Sequence, residues 1–543
     1  MPERKTGWIG SDAREGTVGR PGKVQEKEIV EMIGIALNQP YYEQDIRPLL
    51  MSFFPGVPLK AFIGGEMDGQ EELSACLSVF YTETWAELTW AERADFRQKG
   101  ATAEGDAPKE QAEDPERSDS GLQVVCQRKT PDFSIEDHKE AKNVVKRAVY
   151  TLLGDLTGHT LPWGSLTGIR PTKIAMTMAE QGASDEDILT HYKEEYFCSE
   201  EKAVLSLEIA HREMEILKDI DYQNGYSLYI GIPFCPTTCL YCSFTSYPIG
   251  KWRNQVDAYL DCVFREIDYV AEAFADKKLN TIYFGGGTPT TLEADQLERL
   301  IVKVKESFDL TWLQEFTVEA GRPDSITREK LEVIKRQGIS RISINPQTMK
   351  DATLKIIGRQ HTVAQIRQVY QMAREAGLDN INMDIILGLP DETVEDVERT
   401  MQALAELAPD NITVHSLAVK RAARLNTAKA DYSQYHMENS DEMMAVAERY
   451  ARKLGLEPYY LYRQKNMSGN LENVGYAKPG KAGIYNILIM EEKQTIVALG
   501  AGATTKAVFG DRIERCENVK DIHNYMDRIE EMIERKKKLF ADV

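Results

Sequence analysis

The most regular hydrophobic pattern in the chain lies between residues 227 and 417, where short apolar runs alternate with amphipathic stretches. The apolar runs are rich in β-branched and aromatic residues, as is typical of buried strands, and the stretches between them have the period of a helix. Strands are predicted at residues 227–231, 281–284, 316–320, 341–344, 381–386 and 411–417. Six such units predict parallel strands with helices outside them.

The pattern is less regular before this repeat. A helix is predicted to begin near Glu28, residues 80–90 suit either a strand or a helix, residues 123–128 suit a strand, and residues 137–153 form an amphipathic helix. Residues 99–121 are acidic and nearly free of large apolar groups, which predicts a disordered loop.

After about residue 433 the alternation stops. A helix is predicted over residues 441–454, a glycine-rich mixed segment over 475–510 and a charged helix over 521–540. We therefore predict an α/β protein with three regions. These are an N-terminal α+β domain (1–221), a partial, TIM-like (β/α)6 barrel (222–432) and a small C-terminal α/β region (433–543).

Composition and charge narrow the classes of protein. The net charge of −20 argues against a general nucleic-acid-binding protein. The chain has no apolar run of about 18 residues to span a bilayer, and its first residues have no apolar signal core. Five cysteines are scattered singly, as suits a reducing compartment, so a cytoplasmic protein is predicted. They are Cys76, Cys126, Cys198, Cys262 and Cys516.

The other three cysteines, Cys235, Cys239 and Cys242, follow the first predicted strand with the spacing C-x3-C-x2-C. A four-iron cluster normally takes four thiolates, so three of them would leave one iron open for chemistry. Two alternatives are buried thiols on one face of a helix and a zinc site with a fourth ligand. The preceding strand and the nearby prolines Pro233 and Pro236 argue against the helix.

Further candidates follow the next strands. The segment Gly285–Pro289 reads GGGTP, and its glycines would let the backbone approach a ligand, although a tight turn is the alternative. Polar residues then stand at or just after successive strands, where parallel barrels place their ligands. They are Glu319, Gln347, Arg359 and Asp384, for each of which a buried ion pair is the alternative.

Residues 228–235 read LYIGIPFC, and together with the three cysteines they resemble the cluster loop of radical S-adenosylmethionine (SAM) enzymes. More narrowly, the match is to the oxygen-independent coproporphyrinogen III oxidase group (HemN/HemW-like). Residues 161–182 are similar to its HemZ branch. The likeness spans about residues 222–510. It departs at Phe244, where the well-characterised oxidases have a fourth cysteine and the heme-chaperone branch has phenylalanine.

The resemblance implies two cofactors, a [4Fe-4S] cluster on the three cysteines and S-adenosyl-L-methionine. It implies that Gly286, Gly287 and Thr288 meet the methionine amino group through the backbone. Glu319 and Gln347 would make polar contacts to SAM. Arg359 would bind a carboxylate, and Asp384 would accept hydrogen bonds from the ribose hydroxyls. Tyr229 and Tyr241 would flank the cluster and the adenine, with core packing as the alternative.

The implied reaction is the oxidative decarboxylation of coproporphyrinogen III to protoporphyrinogen IX. A 5′-deoxyadenosyl radical takes a hydrogen from a propionate, and loss of an electron and carbon dioxide leaves a vinyl group. The implied partners are a tetrapyrrole and an electron donor of the flavodoxin or ferredoxin type. Candidate cations for the substrate carboxylates, with a solvated basic face as the alternative, are Lys420, Arg421, Arg424, Arg463 and Lys465.

Two other functions remain open on the same scaffold. Phe244 suggests a heme-binding chaperone, and the superfamily also includes radical methylases and heme-opening enzymes. Arg170 and Lys173 flank Pro171 at the start of a predicted helix, where they suit either an anion contact or an interdomain salt bridge.

Overall fold

The structure is a computed structural model that describes residues 31–64, 72–94, 96, 121–168, 170–418, 434–437, 439–464 and 471–541. Residues 99–120 of the predicted disordered loop lie outside the described residues, and only its last residue, Gly121, is described.

A five-stranded sheet forms the first layer of the described N-terminal part, in the order β2-β1-β3-β4-β5. Its strands are β1 (Ile33–Leu37), β2 (Leu59–Ile63), β3 (Ala75–Tyr81), β4 (Ala86–Glu92) and β5 (Gln123–Lys129). Helices α1 (Glu43–Phe53) and α2 (His138–Thr157) share a separate hydrophobic core with this sheet. The helix predicted to run through this first segment is wrong from Ile33 onward. The apolar run IGIAL instead pairs with both β2 and β3 as a central strand.

Three helices connect this layer to the rest of the chain: α3 (Thr172–Glu180), α4 (Asp185–Tyr196) and α5 (Glu200–Leu217). Their apolar residues belong to the same hydrophobic core as the large sheet described next. Arg170, just before α3, forms a salt bridge to Glu492 at 2.5 Å and donates to the carbonyl of Met490. The salt-bridge interpretation of this residue is therefore the one observed.

The six predicted strand–helix units are all present. Their parallel strands lie side by side in chain order, β6-β9-β10-β11-β12-β13, in a sheet that does not close on itself among the described residues. The six strands are β6 (Gly225–Ile232), β9 (Lys278–Gly286), β10 (Glu315–Glu319), β11 (Arg341–Ser343), β12 (Ile381–Leu387) and β13 (Asn411–Ser416). Between β6 and β9, the short strands β7 (Phe234–Cys235) and β8 (Tyr247–Pro248) pair with each other in a separate sheet. The helices are α6 (Val256–Ala273), α7 (Ala294–Ser307), α8 (Arg328–Arg336), α9 (Asp351–Ile356), α10 (Val363–Glu375) and α11 (Val394–Leu407).

The described C-terminal part extends this sheet at both edges. At one edge, β15 pairs antiparallel with β13, and β14 pairs antiparallel with β15. At the other edge, β16 pairs parallel with β6, and β17 and β18 follow it as antiparallel strands. The elements are α12 (Asp441–Lys453), β14 (Glu457–Tyr462), β15 (Asn473–Ala477), α13 (Ile484–Glu491), β16 (Thr495–Leu499), β17 (Thr504–Phe509), β18 (Arg512–Glu517), α14 (Ile522–Asp527) and α15 (Ile529–Leu539). The division into three domains stays a prediction.

The single charged helix predicted over residues 521–540 is wrong, because it is two helices that meet at Arg528. The backbone of Arg528 leaves the helical conformation, with φ −115° and ψ 27°. Ile522 and Tyr525 before the break and Ile529 after it are all buried.

A buried ion pair joins the last helix, α15, to helix α6. Lys536 of α15 and Glu266 of α6 have fully buried side chains, and the Lys536 Nζ lies 2.6 Å from Glu266 Oε1. The other oxygen of Glu266 accepts from the Tyr525 hydroxyl and from the backbone N–H of Gly500. A single carboxylate therefore joins α6, α14, α15 and the turn after β16.

No helix in the described ranges combines the length and the apolar character needed to cross a bilayer.

Candidate functional site

A cavity of about 750 Å³ opens at the carboxyl ends of the six parallel strands. Its size lies within the range of about 300–1,000 Å³ that is common for small-molecule and cofactor sites. Every residue predicted from the sequence to bind the cluster or SAM lies on its wall. They are Tyr229, Cys235, Cys239, Tyr241, Cys242, Gly286, Gly287, Thr288, Glu319, Gln347, Arg359 and Asp384.

The three cysteines lie in the cysteine loop, which we define as residues 233–246. Cys235 ends the short strand β7, whereas Cys239 and Cys242 lie in a turn, so the helical-stripe alternative is wrong. All three thiols are free of disulfides. In the part of the chain that the structure describes, no three His, Cys, Asp or Glu side chains are placed to bind one metal ion together.

The thiols are sheltered from solvent and lie close to one another. Burial, with smaller contributions from the nearby Cys239 and Cys242 sulfurs, raises the pKa of Cys235 to about 11. Burial also raises the pKa of Cys242. A metal cluster binds thiolates and not thiols, so its insertion here would release protons.

The glycine segment after β9 packs against the cysteine loop. Gly286 has a φ of +103°, and a Cβ on Gly287 would lie only 2.5 Å from the carbonyl oxygen of Phe234. The backbone N–H of Thr288 donates to that same oxygen at 2.7 Å, and its hydroxyl lies 3.5 Å from the Cys235 sulfur. The glycines therefore hold this segment against the strand that carries Cys235, as no larger residue would allow.

Gln347 adopts a backbone conformation that side chains other than glycine rarely adopt, with φ +67°. Its N–H donates to the carbonyl of Asp384, and its carbonyl accepts from the N–H of Ile386, so strand β12 holds it in place from both sides of Ile385. Its side-chain Oε1 is buried without a hydrogen-bond partner. A strained residue with an unsatisfied acceptor at a cavity wall is typical of a binding site.

Arg359 is buried with most of its guanidinium already engaged. Its Nη1 donates to the carbonyl of Asn345 at 2.6 Å, and its Nη2 donates to the hydroxyl of Tyr241 at 3.0 Å. Its Nε is buried without a partner. The contact gives Tyr241, which belongs to the cysteine loop, a polar role in addition to packing.

Two carboxylates, on strands β10 and β12 at either side of β11, have opposite electrostatic environments. Burial, with the nearby charge of Asp384, raises the pKa of Glu319 to about 7, although a hydrogen bond from the Tyr283 hydroxyl opposes the rise. Burial would also raise the pKa of Asp384, but His415, a 2.6 Å hydrogen bond from Asn382 and the charge of Arg341 keep it below its usual value. The cavity thus holds one ionised acid and one that titrates near neutrality.

Three tyrosines from distant parts of the chain form a stack on the wall. The rings of Tyr283 and Tyr485 lie 4.4 Å apart, and Tyr229 stacks 6.2 Å from Tyr283. Tyr229 therefore combines the predicted cavity position with the core-packing alternative. Tyr283 was missed from the sequence, although its place beside Tyr229 in the paired strands β6 and β9 would have indicated it.

Of the five candidate cations, only Arg463 falls among the described residues. Lys420, Arg421, Arg424 and Lys465 lie outside the described residues. Arg463 was expected to face the opening, which is wrong. It is buried, its Nη1 donates to the carbonyl of Leu166 at 2.6 Å, and its guanidinium lies over the Trp163 ring.

Changing Glu319 to glutamine is expected to flatten the pH dependence of stability. The folded protein keeps this carboxyl protonated up to a pKa of about 7, whereas the usual value is 4.5. Stability is therefore lost as the pH rises between these values, by about 3 kcal/mol at 1.36 kcal/mol per pKa unit. Urea unfolding at pH 5 and pH 8 should show a smaller difference for Glu319→Gln than for the wild type. The exposed Glu329→Gln is the control, and equal pH dependence in all three proteins would contradict the prediction.

Comparison with known proteins places the chain in a family. Residues 229–404 match the family described as the Radical SAM superfamily. The oxygen-independent coproporphyrinogen-III oxidase-like protein HemZ of Bacillus subtilis (strain 168) is 42% identical over 421 residues, which are 76% of this chain and 84% of HemZ. The chain belongs to the radical SAM superfamily and to its HemN/HemW-like family, which includes HemZ. This confirms the recognition made from the cysteine loop.

Other members of this radical SAM family carry different names. The heme chaperone HemW of Bacillus subtilis (strain 168) is 31% identical over 310 residues, or 56% of this chain and 76% of the chaperone. The solved structure of coproporphyrinogen III oxidase (HemN) from Escherichia coli, a radical SAM enzyme, covers 57% of this chain and 70% of its own at 22% identity, with a TM-score of 0.47.

Membership of the radical SAM superfamily implies a [4Fe-4S] cluster and SAM, and the residues of this cavity fit both groups. Three free thiols share one wall, and the guanidinium of Arg322 donates to one of them, Cys239. The buried Oε1 of Gln347 and the buried Nε of Arg359 have no protein partner. An iron–sulfur cluster suits the thiols, and a zwitterionic amino acid group suits an unsatisfied acceptor beside an unsatisfied donor.

Proposed function

We propose that this chain is a radical SAM enzyme that converts coproporphyrinogen III to protoporphyrinogen IX without oxygen, by oxidative decarboxylation of two propionates. The observation that carries the proposal is the shared cavity of the three thiols and the unsatisfied Gln347 and Arg359 atoms. The similarity to a coproporphyrinogen-III oxidase-like protein over most of both chains supports the choice of substrate.

In this proposal Cys235, Cys239 and Cys242 hold the [4Fe-4S] cluster. When bound, the cluster and SAM together supply a radical strong enough to take a hydrogen atom from a propionate. The protein's own part is to bind, orient and shelter them. Cys239 is buried and the other two thiols are half-buried, and the glycine segment Gly285–Gly287 keeps the floor of the cavity in contact with the cysteine loop.

The polar residues of the wall would orient SAM. Gln347 offers a buried acceptor to the methionine amino group, and Arg359 offers a buried donor to its carboxylate. Asp384, ionised and held by Asn382, suits the ribose hydroxyls. Glu319 would make a further polar contact to SAM. The Tyr229 and Tyr241 rings would flank the adenine and the cluster.

Substrate and partners belong to the same proposal. The exposed Lys520 and the half-buried Lys506 lie on the wall beyond the cysteine loop and could meet carboxylates of a tetrapyrrole. We also propose a small flavodoxin- or ferredoxin-type protein as electron donor. A cytoplasmic location follows from the reducing conditions that an oxygen-sensitive cluster needs.

The test is an anaerobic incubation of reconstituted protein with SAM, a reductant and coproporphyrinogen III, followed by mass analysis of porphyrins and of 5′-deoxyadenosine. We expect 5′-deoxyadenosine to form together with porphyrin products that have lost carbon dioxide. Formation of 5′-deoxyadenosine without any decarboxylated product would reject coproporphyrinogen as the substrate.

A heme chaperone is the second candidate. Phe244 occupies the position of the fourth cysteine of the oxidases, its side chain is 70% exposed and it lies on the cavity wall, where it could contact a heme plane. Stable binding of heme in an absorbance titration, with no porphyrinogen turnover, would favour this function. A change in the mass of heme after incubation would instead indicate a radical methylase or a heme-opening enzyme.

A further inference from the structure

An arginine that the sequence did not single out touches one of the three thiols. Arg322 follows strand β10 and is 3% exposed. Its Nη1 donates to the Cys239 sulfur at 3.4 Å and to the carbonyl of Thr237 at 3.2 Å. This hydrogen bond places the positively charged guanidinium in contact with a thiol of the cysteine loop.

The guanidinium of Arg322 is held in one orientation. Its Nε and Nη2 donate to the two oxygens of Asp324 at 2.9 and 2.7 Å, which is the bidentate geometry that fixes an arginine most firmly. Its Nη2 also donates to the Thr237 hydroxyl at 3.1 Å. The five N–H groups of the guanidinium thus have five acceptors, so it cannot swing away from Cys239 without breaking several hydrogen bonds.

The carboxylate that orients Arg322 is itself supported. The side chain of Asp324 is 18% exposed, and its Oδ1 lies 3.6 Å from Nδ1 of the fully buried His361. Asp324 and Arg322 thus form a hydrogen-bonded row that ends on the Cys239 sulfur, and His361 lies behind Asp324 with no hydrogen-bond partner for either ring nitrogen among the described residues. Such a row orients a ligand and sets the charge at its sulfur.

We propose that Arg322 is a tuning residue that raises the reduction potential of the iron–sulfur cluster, an inference that rests on the proposed function because it needs Cys239 to be a cluster ligand. Reduction adds one negative charge to the cluster. A buried cation that donates to a ligand sulfur stabilises the reduced form more than the oxidised form, since hydrogen bonds to sulfur and local charge both set cluster potentials. Asp324 holds the cation in place and offsets part of its charge.

The test is a redox titration of reconstituted protein, with the reduced cluster followed by electron paramagnetic resonance in the absence of SAM and tetrapyrrole. For Arg322→Gln we expect the ratio of reduced to oxidised cluster at a fixed potential to fall about tenfold, which corresponds to a shift of about 59 mV for a one-electron couple. The matched control is Arg328→Gln, which removes one positive charge from an exposed position nearby on α8.

A double variant separates tuning from damage to the fold. Arg322→Gln with Asp324→Asn removes both charges of the pair, so no unpaired carboxylate remains beside the cluster. We expect its potential to lie below that of the wild type but above that of Arg322→Gln. If the double variant holds about four irons per chain and titrates at the wild-type potential or above it, the inference is overturned.

The outcomes also distinguish this inference from the proposed function. Wild-type protein that fails to take up a cluster on the three cysteines would overturn both. Wild-type protein that holds a cluster and cleaves SAM, but whose potential does not respond to Arg322→Gln or to the double variant, would overturn only the tuning role.

Discussion

Changing any one of Cys235, Cys239 and Cys242 to alanine is expected to abolish both the cluster and the cleavage of SAM. Three thiolates are the minimum that can hold three irons of a four-iron cube, so the loss of one leaves two irons without protein ligands. Iron content after anaerobic reconstitution should fall from about four to below about one per chain. The formation of 5′-deoxyadenosine should fall to the background of a reaction without protein.

The other cysteines provide the control for this experiment. Cys126 lies in strand β5 of the N-terminal sheet and not on the cavity wall, so Cys126→Ala should keep full iron content and cleavage. Thermal unfolding should show that the three variants are folded before cluster insertion, because a cysteine-to-alanine change removes a single sulfur atom from a loop. A variant at Cys235, Cys239 or Cys242 that retained about four irons and normal cleavage would contradict the assignment of cluster ligands.

Changing Lys536 to methionine is expected to destabilise the C-terminal part of the protein by about 3 to 5 kcal/mol. This is the usual cost of removing one partner from a buried ion pair, because the remaining charge is left without compensation. Methionine fills a similar volume, so the loss is electrostatic and not a cavity effect. Glu266 would keep the hydrogen bonds from Tyr525 and Gly500 but would lose its counter-ion.

The measurement is hydrogen exchange of backbone amides in α15 and at Gly500, which reports the free energy of local opening. Lys538→Met, at an exposed position of the same helix, is the control and should change stability by less than about 0.5 kcal/mol. The double variant Glu266→Gln with Lys536→Met should recover much of the loss. If Lys536→Met alone behaves like the control, the ion pair does not stabilise this part of the fold.

The sequence predicted the six-stranded core well because its signals are local. Each strand is a short apolar run that ends in a polar or glycine-rich turn, and amphipathic stretches predicted between the strands form helices such as α7, α10 and α11. The candidate residues at the carboxyl ends of the strands also came together as expected. This followed from the geometry of parallel strands, which brings all of those ends to one edge of the sheet.

What the sequence could not predict depends on contacts between distant segments. Tyr485 stacks on Tyr283 from the C-terminal part, and no local pattern announces such a pairing. The strand β1 was predicted as a helix because a short run of buried residues fits either period, and only its two neighbours decided the outcome. Arg463 was assigned to the cavity from its charge alone, whereas its environment is set by Trp163 and Leu166.

The pairing of the first core strand with β16 has a consequence for how the protein matures. Tyr226 of β6 lies opposite Thr495 of β16, and Ser227 bonds to Gln494, so this flank of the cavity requires residues made near the end of translation. While the ribosome is still elongating the chain, the thiols have no completed pocket around them. Assembly factors that deliver iron and sulfide would therefore encounter a complete binding site only after synthesis has passed residue 503. Before that point the thiols are not shielded from oxygen by the C-terminal strands.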